Sequence, residues 1–246
     1  MRKVILFLLL PVFLFAQTYW ADLPCTDNAA TTTVTNNGTG GAWATNPIHT
    51  TSTYAHISYG GNFWLQQNSY YIKSTENWSG QKISISWTSR FVNATAAAIE
   101  TYFCFGDADG NRISSANANS LFLIRLASSD EFTLQIRNAD NVSCNIATTD
   151  HSTDNTTIHN YTLSVDLSSS PATVSMTVDG IALTFGAWST EPSNITLASD
   201  LVYVGEAGVY EPDVFINDVK IWQTPESSTD AESKFRNYST WNGFKP

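Results

Sequence analysis

Apolar and polar residues alternate with a period of two along most of this chain. In 82–91, Ile83, Ile85 and Trp87 share one face, and Lys82, Ser84, Ser86 and Thr88 take the other, the pattern of a half-buried strand. Phe132, Leu134 and Ile136 alternate with Thr133, Gln135 and Arg137, and Tyr161, Leu163, Val165 and Leu167 repeat the period. Residues 121–126 are nearly continuously apolar, which predicts a central strand covered on both faces. Val174, Met176 and Val178 lead into Asp179-Gly180, followed by Ile181, Leu183 and Phe185. Asp-Gly between two alternating runs predicts a two-residue hairpin, because both residues tolerate positive φ. Further strands are expected over 54–58, 63–72, 99–105, 201–204 and 214–222, and residues 17–53 read as an irregular entry with one short strand. Short strands punctuated by turns predict an all-β, two-sheet antiparallel β-sandwich, a jelly roll. One short C-terminal helix is expected, where Thr229-Asp230-Ala231-Glu232 forms a capping box.

Arg2 and Lys3 precede an unbroken apolar run over 4–16. A basic start, a run of that length and a small residue before Gln17 predict a signal peptide over 1–16 and a single domain over 17–246. The expected localisation is secreted, extracellular or periplasmic, with no membrane partner after cleavage. Acids outnumber bases 22 to 12, and removing Arg2 and Lys3 takes the formal charge from −10 to −12. The bases are scattered, which argues against a nucleic-acid partner or an anionic membrane surface. Cys25, Cys104 and Cys144 permit one disulfide in an oxidising compartment. In a simple meander Cys104 and Cys144 stand three strand spacings apart, about 14 Å, beyond the ~7 Å a disulfide spans. A bridge from Cys25 to either remains open.

Taken together, several segments resemble the laminin G-like branch of the concanavalin A-like lectin/glucanase superfamily. KISISWTSRF resembles the family's F-T-I-S-F-W strand, and Val178-Asp179-Gly180 its hairpin. Tyr203-Val204-Gly205 and FINDVKIW resemble its later strands, the last against G-x-I-D-E-V-R-I-Y. The resemblance covers about 34–236 and departs at Val214 and Asn217, where the family has Gly and Asp. It implies two antiparallel sheets, one curved, with a concave face or a loop rim that often binds glycans.

A sugar ring has an apolar C–H face and polar edges, so its site combines aromatic faces with amide or neutral hydrogen-bond groups. Trp43, Trp64, Tyr70, Tyr71, Trp78 and Trp188 lie in or beside turn-like stretches; Trp64, Tyr70, Tyr71 and Trp78 are the expected platforms, with Gln135 and Arg137 as polar partners. Trp87, among apolar face-mates, is expected in the core. Asp107, Asp109 and Asn111 alternate in a Gly-flanked loop that resembles the start of a calcium site; an ordinary turn is the favoured reading. Asp213, Asn217 and Asp218 form a second candidate for calcium, and no other cofactor is indicated. The glucanase Glu-x-Asp-x-x-Glu strand is absent. Gln135-Ile136-Arg137 has Arg where the superfamily's alginate lyases have His, and their Tyr-Phe-Lys segment is missing. His49, His56, His151 and His159 are expected to be solvated, with no Ser or Cys motif beside them. The expected function is therefore a secreted non-catalytic module that binds carbohydrate or a cell-surface or matrix glycoconjugate. The alternatives are a polysaccharide-acting hydrolase or lyase, and a structural or adhesive surface domain.

Overall fold

The computed structural model describes residues 17–25, 27, 33–46, 63–65, 71–91, 99–106, 118–126, 131–149, 157–193, 195, 197–205 and 214–223. Its strands, in chain order, are β1 (Ala21–Leu23), β2 (Thr33–Val34), β3 (Trp43–Asn46), β4 (Phe63–Leu65), β5 (Tyr71–Ser74), β6 (Trp78–Ser79), β7 (Lys82–Phe91), β8 (Glu100–Phe105) and β9 (Ser120–Leu126). They continue with β10 (Glu131–Arg137), β11 (Ser143–Ala147), β12 (His159–Asp166), β13 (Thr173–Val178), β14 (Ile181–Ala182), β15 (Ala198–Asp200), β16 (Val202–Val204) and β17 (Val214–Trp222). Every pairing is antiparallel. One sheet runs β1-β17-β7-β12-β13-β14, with β4 also on β17; the other runs β11-β10-β9-β8-β16-β5-β3-β2. A two-stranded ribbon pairs β15 with β6.

The two sheets form the sandwich that the alternation predicts. Ile83, Ile85 and Trp87 of β7 and Tyr161, Leu163 and Val165 of β12 meet Phe103, Phe105, Leu121, Leu123, Phe132 and Leu134 of the facing sheet in one core. Trp87 stacks on Tyr161, its register partner on β12, with ring centroids 4.9 Å apart and planes at 10°. The central strand β9 is buried on both faces, as its continuous apolar run requires: Phe122 and Ile124 join Tyr71, Cys104 and Tyr203 in a second cluster on the outer side of the eight-stranded sheet. Among the described residues a charge pair lies in the interior, with Arg125 donating to Glu100 at 2.8 Å and both side chains fully buried.

The hairpin forms as the sequence dictates. Val178 pairs with Ile181, and Asp179 and Gly180 have φ of 51° and 80°. Both positive angles match the primed turn that suits the right-handed twist of strands. The segment 63–72 is not one strand: β4 lies against β17 and β5 against β16, in different sheets. The entry holds three short strands, β1, β2 and β3, where one was expected. The expected strand at 54–58 and the helix near 229–235 lie outside the described residues. Among the described residues no helix is long and apolar enough to cross a membrane.

Candidate functional site

Three connections converge at the end of the sandwich where β7 begins. The β10–β11 turn is built on Asn138, whose Oδ1 accepts the N–H groups of Asp140 at 3.0 Å and Val142 at 2.9 Å. Asn141 enters the left-handed region at φ 60°, which Asn tolerates better than most residues. The β12–β13 connection is held by Asp166. Its Oδ1 accepts the Ser168 N–H at 2.9 Å and the Ser168 hydroxyl at 2.5 Å, and its Oδ2 faces Lys82 Nζ at 3.4 Å. Burial pushes the Asp166 carboxyl upward, but the Ser168 hydrogen bonds and the Lys82 ammonium outweigh it and hold the group below its ordinary value. The third connection passes Trp188, a half-buried ring whose Nε1 donates to Ala172 O at 3.2 Å.

These connections enclose a cleft of about 470 Å³. Leu167 and Ile195, which belong to the core, line its apolar part, together with Ala139 and Pro192; Ser168, Ser169, Ser170 and Ser193 supply hydroxyls. The volume falls in the range of small-ligand sites, about 300–1,000 Å³. Among the described lining residues there is no carboxylate, imidazole or thiol. Such a lining can exchange hydrogen bonds with a neutral polyhydroxyl ligand over an apolar floor, and it offers no acid–base pair.

Of the expected platform residues, Trp78 and Tyr71 lie elsewhere. Trp78 is 2% exposed. It packs edge-on against Trp20 at 5.2 Å and Phe105 at 5.7 Å, and its Nε1 donates to Gly80 O at 3.1 Å. Tyr71 is 8% exposed and packs on Tyr203 at 5.3 Å. Neither ring presents a free face, because the short strands that carry them close the core and the second cluster instead of a loop rim. Trp43 is likewise buried, against Trp20. Trp64 lies on β4 opposite Phe215. Tyr70, Asp107, Asp109, Asn111 and Asp213 lie outside the described residues.

Gln135 and Arg137 share the outer face of β10, two residues apart. Gln135 pairs across the strands with Asn145 and with Phe122, and Arg137 Nη1 donates to Asn141 Oδ1 at 3.2 Å. Gln135 Oε1 and Asn145 Oδ1 are buried without a hydrogen-bond partner. Tyr203 and Tyr71 occupy the same face but stand three and four strand spacings from β10, about 14 and 19 Å. The sheet therefore does not gather Gln135, Arg137 and these tyrosines around one sugar ring.

Asn217 and Asp218 form a bulge in β17. The Asp218 N–H donates to Asn217 Oδ1 at 2.7 Å, and the Asp218 carboxylate pairs with the Lys220 ammonium. Among the described residues no group of three or more His, Cys, Asp or Glu side chains could hold a metal.

Cys25, Cys104 and Cys144 are separate buried thiols. Cys104 belongs to the outer cluster and Cys144 to the core, so they lie on opposite faces of one sheet with β9 and β10 between them. Burial raises the Cys25 and Cys144 thiols above their ordinary value.

His159, expected in solvent, opens β12 with its side chain 16% exposed, and its Nδ1 lies 2.7 Å from Asp179 Oδ2. The other carboxylate oxygen of Asp179 accepts the Asn160 N–H at 2.9 Å. Twenty residues and a hairpin separate the two side chains, and no local motif announces the contact. The serines of 168–170 carry no motif in the sequence, so the cleft they border was equally hidden.

No family model matches the chain, and no curated protein matches it. Among solved structures it is similar to the botulinum neurotoxin serotype D binding domain, with TM-score 0.61 and 11% identity over 89% of this chain and 51% of that one. The binding domain of botulinum neurotoxin DC in complex with SialylT gives TM-score 0.57 and 12% identity over 89% of this chain and 51% of that one. The K499G mutant of NanB sialidase from Streptococcus pneumoniae superposes more loosely, at TM-score 0.48 and 16% identity over 71% of this chain and 27% of that one. The chain spans about half the length of the neurotoxin binding domains it matches. At these identities the likeness is one of fold, a two-sheet β-sandwich.

Proposed function

We propose that this chain is a secreted binding module, of laminin G-like type, that takes a carbohydrate or a cell-surface or matrix glycoconjugate in the hydroxyl-lined cleft. The observation that carries the reading is the cleft itself: four serines beside Leu167, Ile195, Ala139 and Pro192, with no titratable group in the described lining. Such a surface suits a neutral sugar, whose edges exchange hydrogen bonds with hydroxyls while its C–H face covers Leu167 and Ile195. Two neighbours in fold are named as binding domains, one of them in complex with SialylT, and this supports a binding role. The apolar run over 4–16 supports export. The polysaccharide lyase alternative loses ground, because Gln135 and Arg137 lie far from Tyr71 and Tyr203 on the sheet.

A glycan array run beside a polysaccharide-degradation assay tests the proposal, using protein recovered from culture medium and sequenced from its N-terminus. The expected result is glycan binding without degradation by a chain that begins at or near Gln17. Ser169→Trp, which fills the cleft, should abolish binding while leaving the melting temperature within a few degrees of wild type. Binding that survives this substitution, or an absence of binding to any glycan by the folded protein, overturns the reading.

A further inference from the structure

The hydrogen bonds around the cleft fix which kind of polar group it can take. Ser168 and Ser169 both line it, and both have committed their hydroxyl protons elsewhere. The Ser168 hydroxyl donates to Asp166 Oδ1 at 2.5 Å, and the Ser169 hydroxyl donates to Asp166 O at 3.0 Å. A carboxylate and a backbone carbonyl only accept, so neither bond can run the other way. The Asp166 carboxyl is held below its ordinary value and stays ionised at neutral pH. A serine hydroxyl has one proton to donate and two lone pairs. Whatever meets the Ser168 and Ser169 hydroxyls in the cleft must therefore donate to them.

Charge acts in the same direction. Asp140, Asp166 and Glu191 each adjoin a lining residue, namely Ala139, Leu167 and Pro192. Consecutive Cα atoms are ~3.8 Å apart, short against the ~8 Å over which physiological salt screens charge. Opposing them is the Lys82 ammonium, which lies 3.4 Å from Asp166 Oδ2.

We propose, on the reading of the cleft as a glycan site, that Ser168 and Ser169 make it selective for uncharged sugars with free hydroxyl groups. Sugars that carry a carboxylate, a sulfate or a methyl ether at the same place are rejected. A sugar hydroxyl donates to a serine lone pair and can still accept a bond from another group. A carboxylate, a sulfate ester or an ether has no proton to give. Its oxygens would face serine lone pairs, with the Asp166 charge one hydrogen bond behind Ser168. A site built for one polarity of group rejects the other, because both sides are left unpaired. Asp166 is not among the described lining residues; it acts through the two serines as a positioning residue.

The full-length protein is applied to a glycan array carrying neutral oligosaccharides and the sulfated, sialylated and O-methylated forms of each, and the hits are titrated by biolayer interferometry. The neutral form should bind at least ~10-fold more tightly than its modified counterparts, about the effect of one lost hydrogen bond. In Asp166→Ala the Ser168 hydroxyl is released to donate and the Lys82 ammonium loses this partner, so the preference for neutral over sulfated sugar should shrink at least ~10-fold. An Asp166 that served folding alone would weaken both forms together and leave their ratio unchanged. Ser168→Ala keeps the Asp166–Lys82 pair and tests the same wall if Asp166→Ala does not fold; it should weaken the neutral form at least ~10-fold. A sulfated or sialylated form bound as tightly as its neutral parent overturns the proposal, as does an unchanged ratio in folded Asp166→Ala. The cleft survives either result as a glycan site if Ser169→Trp still abolishes binding. If no glycan binds, or if binding survives Ser169→Trp, the glycan reading falls and the selectivity falls with it.

Discussion

Replacing Trp87 by alanine should destabilise the sandwich by about 4 kcal/mol. Removing a large buried aromatic from a core typically costs ~3–5 kcal/mol, through lost transfer energy and the cavity left behind. Trp87 packs against three rings, Tyr161 at 4.9 Å, Phe103 at 5.0 Å and Tyr102 at 6.2 Å. Each such pair contributes about 0.5–1.5 kcal/mol beyond its area, which pushes the loss to the top of the range. One effect opposes it. The indole Nε1 is buried without a partner, and an unsatisfied buried donor costs ~1–3 kcal/mol, a penalty the alanine variant no longer carries. Trp87→Phe separates the two effects, because it keeps a ring between the sheets and deletes the orphaned N–H; it should cost less than about 2 kcal/mol. Urea unfolding followed by far-UV circular dichroism reads both variants, with unchanged slope as the check on two-state behaviour. A loss below about 1 kcal/mol for Trp87→Ala would remove Trp87 from the core. Equal losses for the two variants would show that the indole N–H has a partner after all.

Gly180 and Gly106 both sit at positive φ, 80° and 73°, but a Cβ on Gly180 meets nothing within 4 Å whereas one on Gly106 would lie 2.3 Å from Asn119 O. Gly180→Val should therefore cost roughly 1–3 kcal/mol from backbone strain alone, and Gly106→Ala should exceed Gly180→Ala by at least about 1 kcal/mol in the same denaturation assay. All three cysteines are buried thiols; a disulfide-exchange reagent should titrate three per chain in denaturant and react slowly with the native protein. Asp166 is held below its ordinary value, so its contribution is fully present above the unfolded carboxyl value of about 3.9 and fades as pH falls through the lower folded value. Asp166→Asn should flatten that acid limb by no more than about 1 kcal/mol, as read from urea midpoints between pH 6 and pH 2.

Strong alternation made much of the fold legible. The bounds of β7 and β10 coincide with their apolar patterns, β17 with its predicted 214–222, and Asp179-Gly180 marks its turn without tertiary help. Legibility fails where strands are too short to show a period. Strands β1, β2 and β3 have three, two and four residues, at most two full alternations. It also fails where a dense aromatic run hides a change of sheet, as between β4 and β5. The site was less legible than the fold. Trp78 and Tyr71 stand next to turn-like sequence and yet are buried, because proximity along the chain to a turn does not determine which face a residue takes. The cleft is assembled from connections around 139, 168 and 193, and Asp179 reaches His159 only through the pairing of β12 with β13. Pairings of that kind follow from tertiary closure and leave no local trace.

The place of β17 has a consequence for how the chain is made. Ala21 pairs with Ile221, Leu23 with Val219, and β7 finds its partner on the same late strand. Synthesis therefore delivers the keystone of the seven-stranded sheet after every other described strand of that sheet. Until residue 222 has emerged, β1 has no neighbour and one edge of β7 lies open, a row of unpaired amides and carbonyls inviting intermolecular pairing. Contacts of such sequence separation close slowly. A nascent or truncated chain lacking β17 should thus depend on a holding chaperone or aggregate.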